Sequence, residues 1–277
     1  TQAADVPVGT REVEVVADQV VIAAGAHAGV PPVVRESGVP FHTSDTIMRL
    51  ETLPKSLIIV GGGLVAAEFA HIFAAFGTQV TLLHRGSTLL RFADESISAR
   101  FTELISRRVV LRLGQHLASV ADAAGRIEVG TTDDDGIEYF FEAEHLLLAT
   151  GRIPNGDTLA LDATGVDLDE DGRVVVDAYQ RTTADGIWAL GDVSSPLQLK
   201  HVSNHQARVV RHNLLHPDDL VESERRVVPQ AVFSGPQVAC VGLTEAQCRE
   251  RGLRHAVGVR EYGGVAYGWA MEDTDHF

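Results

Sequence analysis

The strongest constraint on the fold of this chain is a glycine-rich turn between an apolar strand and an alanine-rich helix, IIVGGGLVAAEFA at residues 58–70. Gly61 permits the tight turn, Gly63 lets backbone N–H groups approach a pyrophosphate, and Ala66 keeps the helix close to the sheet. The start of such a helix favours an anion because its first N–H groups are unpaired and its dipole is positive there. The stretch predicts a dinucleotide-binding unit, with a purely structural glycine turn as the alternative.

The residues after this helix indicate which nucleotide is bound. Folds that bind NAD place an acid about 20 residues after the first glycine, where it hydrogen-bonds the ribose 2′-hydroxyl. Here that point falls in VTLLHRGSTLLR at residues 80–91, and no Asp or Glu occurs between Glu68 and Asp94. An acid repels a 2′-phosphate, whereas the guanidinium groups of Arg85 and Arg91 match it in charge and shape. The sequence therefore predicts NADP(H), against the alternative that both arginines are solvated surface residues.

The pattern around the turn predicts a β-α-β-α-β unit followed by antiparallel strands, the order of a dinucleotide-binding domain. Asp94 is typical of a helix N-cap, and Gly77 of the end of the preceding helix. The segment from Arg126 to Gly151 predicts a hairpin with its turn at TDDDG, and then a buried strand. Elsewhere the sequence predicts a strand at residues 11–23, a helix at 202–215, and a strand, turn, strand and helix from Val227 onward; the apolar stretches GRVVVD at 172–177 and GIWALGDV at 186–193 precede the helix.

The charge and cysteine content argue against several function classes. The formal net charge is −15, which disfavours nucleic acid or an anionic membrane as the main partner. Cys240 and Cys248 fit no redox or metal motif, and we interpret them as inert thiols of a reducing compartment. The histidines lack metal-ligand spacing, so no metal is expected. Because no signal peptide or uninterrupted apolar span is found, we expect a cytoplasmic protein.

Four further stretches carry a resemblance to a known family: VVIAAGAHAGVPP from Val20, LLLATGRIPN from Leu146, IWALGDV from Ile187 and VFSGPQVACVGLTE from Val232. In this order they resemble the flavin-dependent pyridine nucleotide–disulfide oxidoreductases over essentially the whole chain. The resemblance implies an α/β fold in which a Rossmann-like NADPH-binding domain is inserted in an FAD-binding domain and followed by the start of an α+β dimerisation domain. The implied boundaries are 1–50 for the first FAD segment, 51–151 for the NADPH domain, 152–226 for the returning FAD segment and 227–277 for the dimerisation domain.

The resemblance also assigns residues to both cofactors. For NADPH it implies Gly61, Gly63, Ala66, Arg85, Arg91, Gly151 and Arg152. For FAD it implies Gly25, Gly191, Asp192, Lys200 and His201. Asp192 would lie next to the FAD pyrophosphate, and the helix that opens near Lys200 would point its positive end at the flavin. The alternatives are an acid in a solvated turn at Asp192 and plain exposed cations at Arg152, Lys200 and His201.

Two positions on the nucleotide-binding helix stand out against the family pattern. Glu68 is expected to pair with a lysine near flavin N5 that lies outside this chain, since an acid on an alanine-rich buried face otherwise has no partner. Leu64 departs from the family, because many members carry an aromatic residue here that gates the nicotinamide pocket. Gating by a swinging ring is therefore in doubt for this chain.

The resemblance implies hydride transfer from NADPH to FAD, then electron transfer to an active-site disulfide, and finally to a small-molecule disulfide in a homodimeric enzyme. The resemblance of Leu199–Val202, and of several stretches elsewhere along the chain, implies the disulfide of mycothiol as the acceptor. The first FAD-binding turn, the Cys-x4-Cys pair and the C-terminal His–Glu pair of the family do not occur here, so we expect a fragment that is inactive towards disulfides by itself. Other acceptors remain open (those of a transhydrogenase, mercuric reductase, glutathione reductase or dihydrolipoamide dehydrogenase), as does a non-catalytic nucleotide-binding module.

Overall fold

The computed structural model describes residues 15–224 and 226–273, which divide into two compact units. One unit combines the described residues up to Gly25 with Pro154–Ser223, and the other combines Ala26–Ile153 with the described residues from Glu224 onward. The strands are β1 Val20–Ile22, β2 Ala26–Ala28, β3 Ser56–Val60, β4 Gln79–Leu83, β5 Val110–Arg112, β6 His116–Ala123, β7 Arg126–Thr132, β8 Glu138–Ala143, β9 His145–Leu148, β10 Arg152–Pro154, β11 Ile187–Ala189, β12 Gln230–Val232 and β13 Val238–Cys240. The helices are α1 Pro32–Ser37, α2 Leu64–Ala75, α3 Glu95–Ser106, α4 Lys200–Leu215, α5 Glu245–Glu250 and α6 Ala266–Ala270.

The larger unit is built on a four-stranded parallel sheet in the order β5-β4-β3-β9. Central strand β3 sets the register, with Ile59 opposite Leu82 of β4 on one side and opposite Leu147 of β9 on the other. Parallel strands joined through helices need long crossovers, and α2 and α3 supply them between β3, β4 and β5. This arrangement confirms the predicted α/β fold with a Rossmann-like nucleotide-binding region.

Both faces of the parallel sheet are covered, which explains why its strands are continuous apolar runs. On one face, the side chains of Leu57, Ile59 and Leu82 pack with the small residues of α2 and with Phe101 of α3. On the other face, Ile58, Leu83, Leu146 and Leu148 pack against buried residues of β6 and β7, namely Val120, Ile127 and Val129. Successive β3 side chains point to opposite faces of the sheet, and those up to Ile59 are all buried, so they contribute alternately to two separate clusters.

An antiparallel sheet in the order β6-β7-β8 follows β5 along the chain. The hairpin between Arg126 and Gly151 was predicted, and β7 and β8 confirm it. Strand β6 was missed, because its sequence HLASVADA buries only Val120 fully and shows little apolar alternation.

Two further apolar stretches take different forms in the structure. Residues 172–177 contain an isolated bridge between Val174 and Leu168 and no strand. The backbone N–H of Val174 donates instead to the carbonyl of Val193, so its hydrogen bond goes to a loop rather than to a ladder. Within the prediction for residues 11–23, the structure forms β1 at its end, and residues 11–14 lie outside the described residues.

The smaller unit contains the parallel pair β1 and β11, with Val21 opposite Trp188. A cluster of buried apolar side chains surrounds this pair: Ile22, Leu161, Val166, Val174, Ala189 and Val193. Helix α4 begins at Lys200, two residues before the predicted start, and buries Val202, Val209 and Val210 along one face.

Asp94 connects two helices of the larger unit. Its side chain accepts from the backbone N–H of Ser96 at 3.4 Å, which confirms the predicted N-cap of α3, and from that of Glu245 at 2.9 Å. The pKa of Asp94 is lowered, chiefly because the Glu245 N–H donates to the charged carboxylate. A carboxyl group with a lowered pKa stabilises the fold above its unfolded-state pKa, and this stabilisation is lost as the pH falls through the folded-state value.

Replacement Asp94→Ala is expected to lower the free energy of unfolding by about 1–2 kcal/mol near neutral pH, because a helix cap and a second backbone acceptor are lost. Urea denaturation of both proteins across the acid range measures the effect. The difference from wild type should shrink as the pH falls below about 4, first because the unfolded chain takes up a proton at this position and then because the folded carboxylate, whose pKa is lower, is protonated as well. Asp218→Ala, at an exposed residue after α4, serves as the control. A difference that does not change with pH contradicts the assignment.

Candidate functional site

The glycine turn lies where three strands of the parallel sheet end. The backbone N–H of Gly61 donates to the carbonyl of Leu83 at 2.9 Å, and the N–H of Ala149 donates to the carbonyl of Val60 at 2.8 Å. Gly61 has φ +150°, and a Cβ built on it would lie 2.3 Å from the carbonyl oxygen of Ala149. The turn therefore requires glycine at this position because two backbones approach each other closely.

A cavity of about 580 Å³ opens above these strand ends. It lies at the carboxyl edge of β3, β4 and β9, which is the edge where open α/β sheets bind ligands. Its lining contains no acidic residue and consists of Pro31, Val33, Val60, Gly61, Gly62, Gly63, Leu83, His84, Arg85, Gln115, His116, Leu117, Ala149, Thr150 and Gly151. Helix α2 begins next to the cavity, and its N-cap residue Gly63 provides no side-chain cap for the first N–H groups.

His84 was not given a role from the sequence, yet it occupies a central place in this cavity. A Cβ on Gly62 would lie 2.4 Å from the His84 ring, and a Cβ on Gly86 would lie 2.7 Å from its Nε2. The imidazole is thus wedged between the two glycine-containing turns. Its position directly after β4 was the one available sequence signal, because residues that follow parallel strands gather at the ligand edge.

The two predicted arginines lie in the electrostatic neighbourhood of His84. Burial lowers the pKa of His84, the positive charges of Arg85 and Arg91 lower it further, and contact with the Thr88 backbone opposes this shift. Arg85 lines the cavity, and both arginines are exposed. Within residues 15–224 and 226–273, neither guanidinium group forms an ion pair or a hydrogen bond. The structure therefore brings the two cations near each other, while their role in binding stays a prediction.

The remaining residues predicted for NADPH fall into two groups. Ala66 is fully buried where α2 packs on the sheet, and Gly151 lines the cavity with φ +116°. Arg152 does not line the cavity. Its guanidinium donates to the carbonyl of Ala26 and lies 3.5 Å from the Ser44 hydroxyl, so it is not a free surface cation.

Glu68 has a partner that the sequence analysis did not foresee. Its Oε1 accepts a hydrogen bond of 2.9 Å from the backbone N–H of Phe233, which follows β12. The argument that this acid has no partner within the chain was therefore wrong, because strand β12 packs against α2 in the same unit. The predicted pairing of Glu68 with a lysine near a flavin stays a prediction.

The residues predicted for FAD lie in the smaller unit. Gly25 has φ +70°, and its carbonyl accepts from the N–H of Asn155 at 3.0 Å. Gly191 has φ +78° and opens the short 3-10 helix Gly191–Val193, which contains the half-buried Asp192. The exposed residues Lys200 and His201 begin α4, and no side chain caps the start of this helix.

A buried glutamine connects the 3-10 helix to α4. Oε1 of Gln206 accepts from the N–H of Gly191 at 2.7 Å, and Gln206 is fully buried. Its Nε2 has no hydrogen-bond partner among the described residues, and the same holds for Nε2 of His205. Buried polar atoms are normally satisfied, so these two atoms mark a place where a polar group is missing.

Metal ligands, cysteine thiols and membrane-spanning helices are three further features that bear on function. No cluster of three or more His, Cys, Asp or Glu residues suited to a metal ion occurs in the described parts of the chain. Cys240 and Cys248 are both free thiols, and burial raises the pKa of Cys240, which disfavours the reactive thiolate. None of the helices that the structure describes is long and apolar enough to cross a membrane.

Comparison with known proteins identifies the family. Residues 2–208 match the family model described as pyridine nucleotide-disulphide oxidoreductase, and residues 228–277 match the dimerisation domain of the same family. The chain therefore belongs to the pyridine nucleotide-disulphide oxidoreductases, whose members use FAD and a nicotinamide nucleotide.

The chain is similar to several individual members of this family. The chain is 51% identical to the mycothione reductase of Mycobacterium tuberculosis over 94% of its own length and 57% of that protein. It is 39% identical to a glutathione reductase of Burkholderia cepacia over 84% of the chain and 50% of that protein. The HOCl-induced flavoprotein disulfide reductase RclA of Escherichia coli has a similar structure, with a TM-score of 0.82 and 31% identity over 93% of this chain and 59% of that one. The chain thus spans 50% to 59% of the length of these relatives.

Replacement Gly61→Ala is expected to lower the free energy of unfolding by roughly 1–3 kcal/mol, because the new methyl group would overlap the Ala149 carbonyl. Gly63→Ala is the matched control in the same turn. Gly63 has φ −90°, and a Cβ there meets nothing within 4 Å, so a change of at most about 0.5 kcal/mol is expected. Thermal and urea denaturation measure both variants. An equal loss of unfolding free energy in the two variants would show that the close approach of Gly61 to Ala149 does not contribute to stability.

Proposed function

We propose that this chain is part of an NADPH-dependent, FAD-containing disulfide oxidoreductase whose substrate is mycothione, the disulfide of mycothiol. The observation that carries the proposal is the cavity at the Gly61–Gly63 turn, which is lined by Arg85 and by no acidic residue. Family membership and the 51% identity to a mycothione reductase support the reaction type and the substrate.

The cavity fits the phosphate-bearing part of a nicotinamide nucleotide. Its volume of about 580 Å³ lies in the range of small-molecule sites. At Gly63 a Cβ would meet nothing within 4 Å, so the backbone of the turn is open there, and the uncapped start of α2 offers N–H groups to a pyrophosphate. Gly151 and the neighbouring Thr150 form the opposite rim, at the end of the segment that follows β9.

The charge of the cavity favours NADPH over NADH. Arg85 and Arg91 carry no counter-charge from the described residues, and a 2′-phosphate would supply one. An acid that would accept the 2′-hydroxyl of NADH is missing from the lining and from the whole stretch between Glu68 and Asp94. In this proposal Arg152 acts indirectly, by holding the segment after Gly151 to Ala26.

The smaller unit fits one end of FAD. The unpartnered Nε2 atoms of His205 and Gln206 indicate a polar ligand near α4, and Gln206 fixes the backbone of Gly191. We propose that Asp192 holds the chain of FAD near its pyrophosphate, with Gly25 permitting a close backbone approach, and that the start of α4 stabilises negative charge on the flavin. Lys200 adds positive charge at that helix end, and His201 lies beside it as a further polar group. When bound, FAD takes a hydride from NADPH and passes an electron pair to a disulfide.

The proposal extends to the organisation of the whole protein. Residues 1–50 and 152–226 would form parts of the FAD-binding domain, 51–151 the NADPH-binding domain and 227–277 the start of the interface of a homodimer. Glu68 would pair with a lysine near flavin N5 through the carboxylate oxygen that does not bind Phe233. The redox cysteines and the His–Glu pair are expected in sequence outside residues 1–277.

The double variant Arg85→Gln, Arg91→Gln in the whole protein should raise the Kd for NADPH by about 10- to 100-fold, because two charge-assisted contacts to the 2′-phosphate are lost. The Kd for NADH should change by no more than about threefold. Arg112→Gln is the control, since Arg112 carries the same charge at the end of the neighbouring strand but does not line the cavity. Calorimetric titration of each variant measures both constants. Equal losses for the two nucleotides would remove the basis for the NADPH preference.

A substrate comparison tests the proposed acceptor. The whole protein, including the sequence on both sides of these 277 residues, should oxidise NADPH faster with mycothione than with glutathione disulfide or lipoamide. The 277 residues alone should show no such turnover, because thiol–disulfide exchange needs cysteines beside the flavin. NADPH absorbance measures both reactions. Turnover by the 277 residues alone, or a preference for another disulfide, contradicts the proposal.

A further inference from the structure

Nε2 of His84 is the unexplained polar atom of the nucleotide cavity. It is shielded from solvent, and no described residue forms a hydrogen bond with it, although the Thr88 backbone lies near enough to the ring to raise its pKa. A shielded polar atom without a partner is unfavourable, so a structural filler of this kind would favour an apolar side chain. The ring instead places an ionisable group against the Gly62 turn, on the lining of the cavity.

The surroundings of His84 favour its neutral form, because burial lowers its pKa and the charges of Arg85 and Arg91 lower it further, against the opposing contact with the Thr88 backbone. The glycine turn at Gly62 contributes no ionisable side chain. On the β5–β6 side, the carbonyl of Arg112 accepts from the His84 backbone N–H, and His116 lies in the same lining with Asp134 at 2.9 Å from its Nε2. The side-chain charges that act on the His84 ring are therefore mainly those of Arg85 and Arg91.

We propose that His84 is a specificity-determining residue that takes up a proton from solvent when a nucleotide with a 2′-phosphate binds, and so adds a third positive charge to the cavity. The inference rests on the proposed NADPH site and deepens it. A phosphate monoester near neutral pH brings almost two negative charges. These charges cancel the repulsion that Arg85 and Arg91 exert on a protonated imidazole, so protonation of His84 becomes favourable in the complex.

The sign of the resulting pH dependence follows from linkage. In this proposal the nucleotide raises the pKa of His84, so binding consumes protons. The affinity for the 2′-phosphorylated nucleotide therefore increases as the pH falls towards the range in which histidine is protonated. One linked proton changes the binding constant by at most about tenfold per pH unit. NADH and NAD⁺ lack the 2′-phosphate and should show no comparable dependence. The preference for the phosphorylated nucleotide therefore grows on mild acidification.

The test is calorimetric titration of the whole flavoprotein with NADP⁺ and with NAD⁺, in buffers of different ionisation enthalpy between about pH 6.5 and 8, where the 2′-phosphate remains largely a dianion. Wild type should take up more protons with NADP⁺ than His84→Gln does, and the two should agree with NAD⁺. His84→Phe keeps the ring shape and should behave as His84→Gln, which covers the case in which one variant folds poorly. His116→Gln is the control for the other histidine of the cavity, and its proton uptake should match wild type.

The outcomes separate this inference from the proposed function. If NADP⁺ binds with the expected dependence on Arg85 and Arg91 but proton uptake is the same with and without His84, the inference is wrong while the NADPH site stands. If His116→Gln removes the uptake, the proton is carried by His116 and the inference is again wrong. If NADP⁺ binds no better than NAD⁺ in wild type, the proposed function itself fails.

Discussion

The close approach of two backbones at Gly61 and Ala149 is the contact on which the cavity depends. A side chain at Gly61 would overlap the Ala149 carbonyl, so the ends of β3 and β9 would have to separate. Those two strand ends carry the Gly61–Gly63 turn on one side and Thr150 and Gly151 on the other. The start of α2 is oriented by the same turn, since Gly63 is its N-cap. This backbone contact therefore positions both the start of α2 and the rim of the cavity.

The features that the sequence predicted are those encoded within a few residues. The glycine turn, the cap at Asp94 and the apolar runs of the parallel strands are local patterns, and each has a direct physical cause. Strand β6 was not predicted because only one of its residues is buried. The partner of Glu68 escaped because Phe233 lies 165 residues further along the chain. The wedge position of His84 escaped for the same reason: it depends on Gly62, which only the folded sheet brings next to it.

The charge of the cavity is opposite in sign to the net charge of the chain. A protein with a formal net charge of −15 repels anions at long range. Within this cavity, however, the described lining contains Arg85 and no acidic side chain, and burial together with the charges of Arg85 and Arg91 lowers the pKa of His84. The positive charge is therefore concentrated at the strand ends, in contrast to the negative charge of the molecule as a whole.

The pairing of β3 with β9 has a consequence for how the chain acquires this fold. Leu57 is paired with His145, so one edge of the central strand is completed by a segment 88 residues later in the sequence. A ribosome that adds residues in order releases β3, β4 and β5 before β9 exists. During that interval four consecutive apolar residues, Leu57–Val60, present an open edge of the kind that pairs with foreign strands. During the same interval α2 and α3 already cover one face of the sheet and Val34 of α1 packs on the other, so it is this backbone edge that stays open until β9 is made.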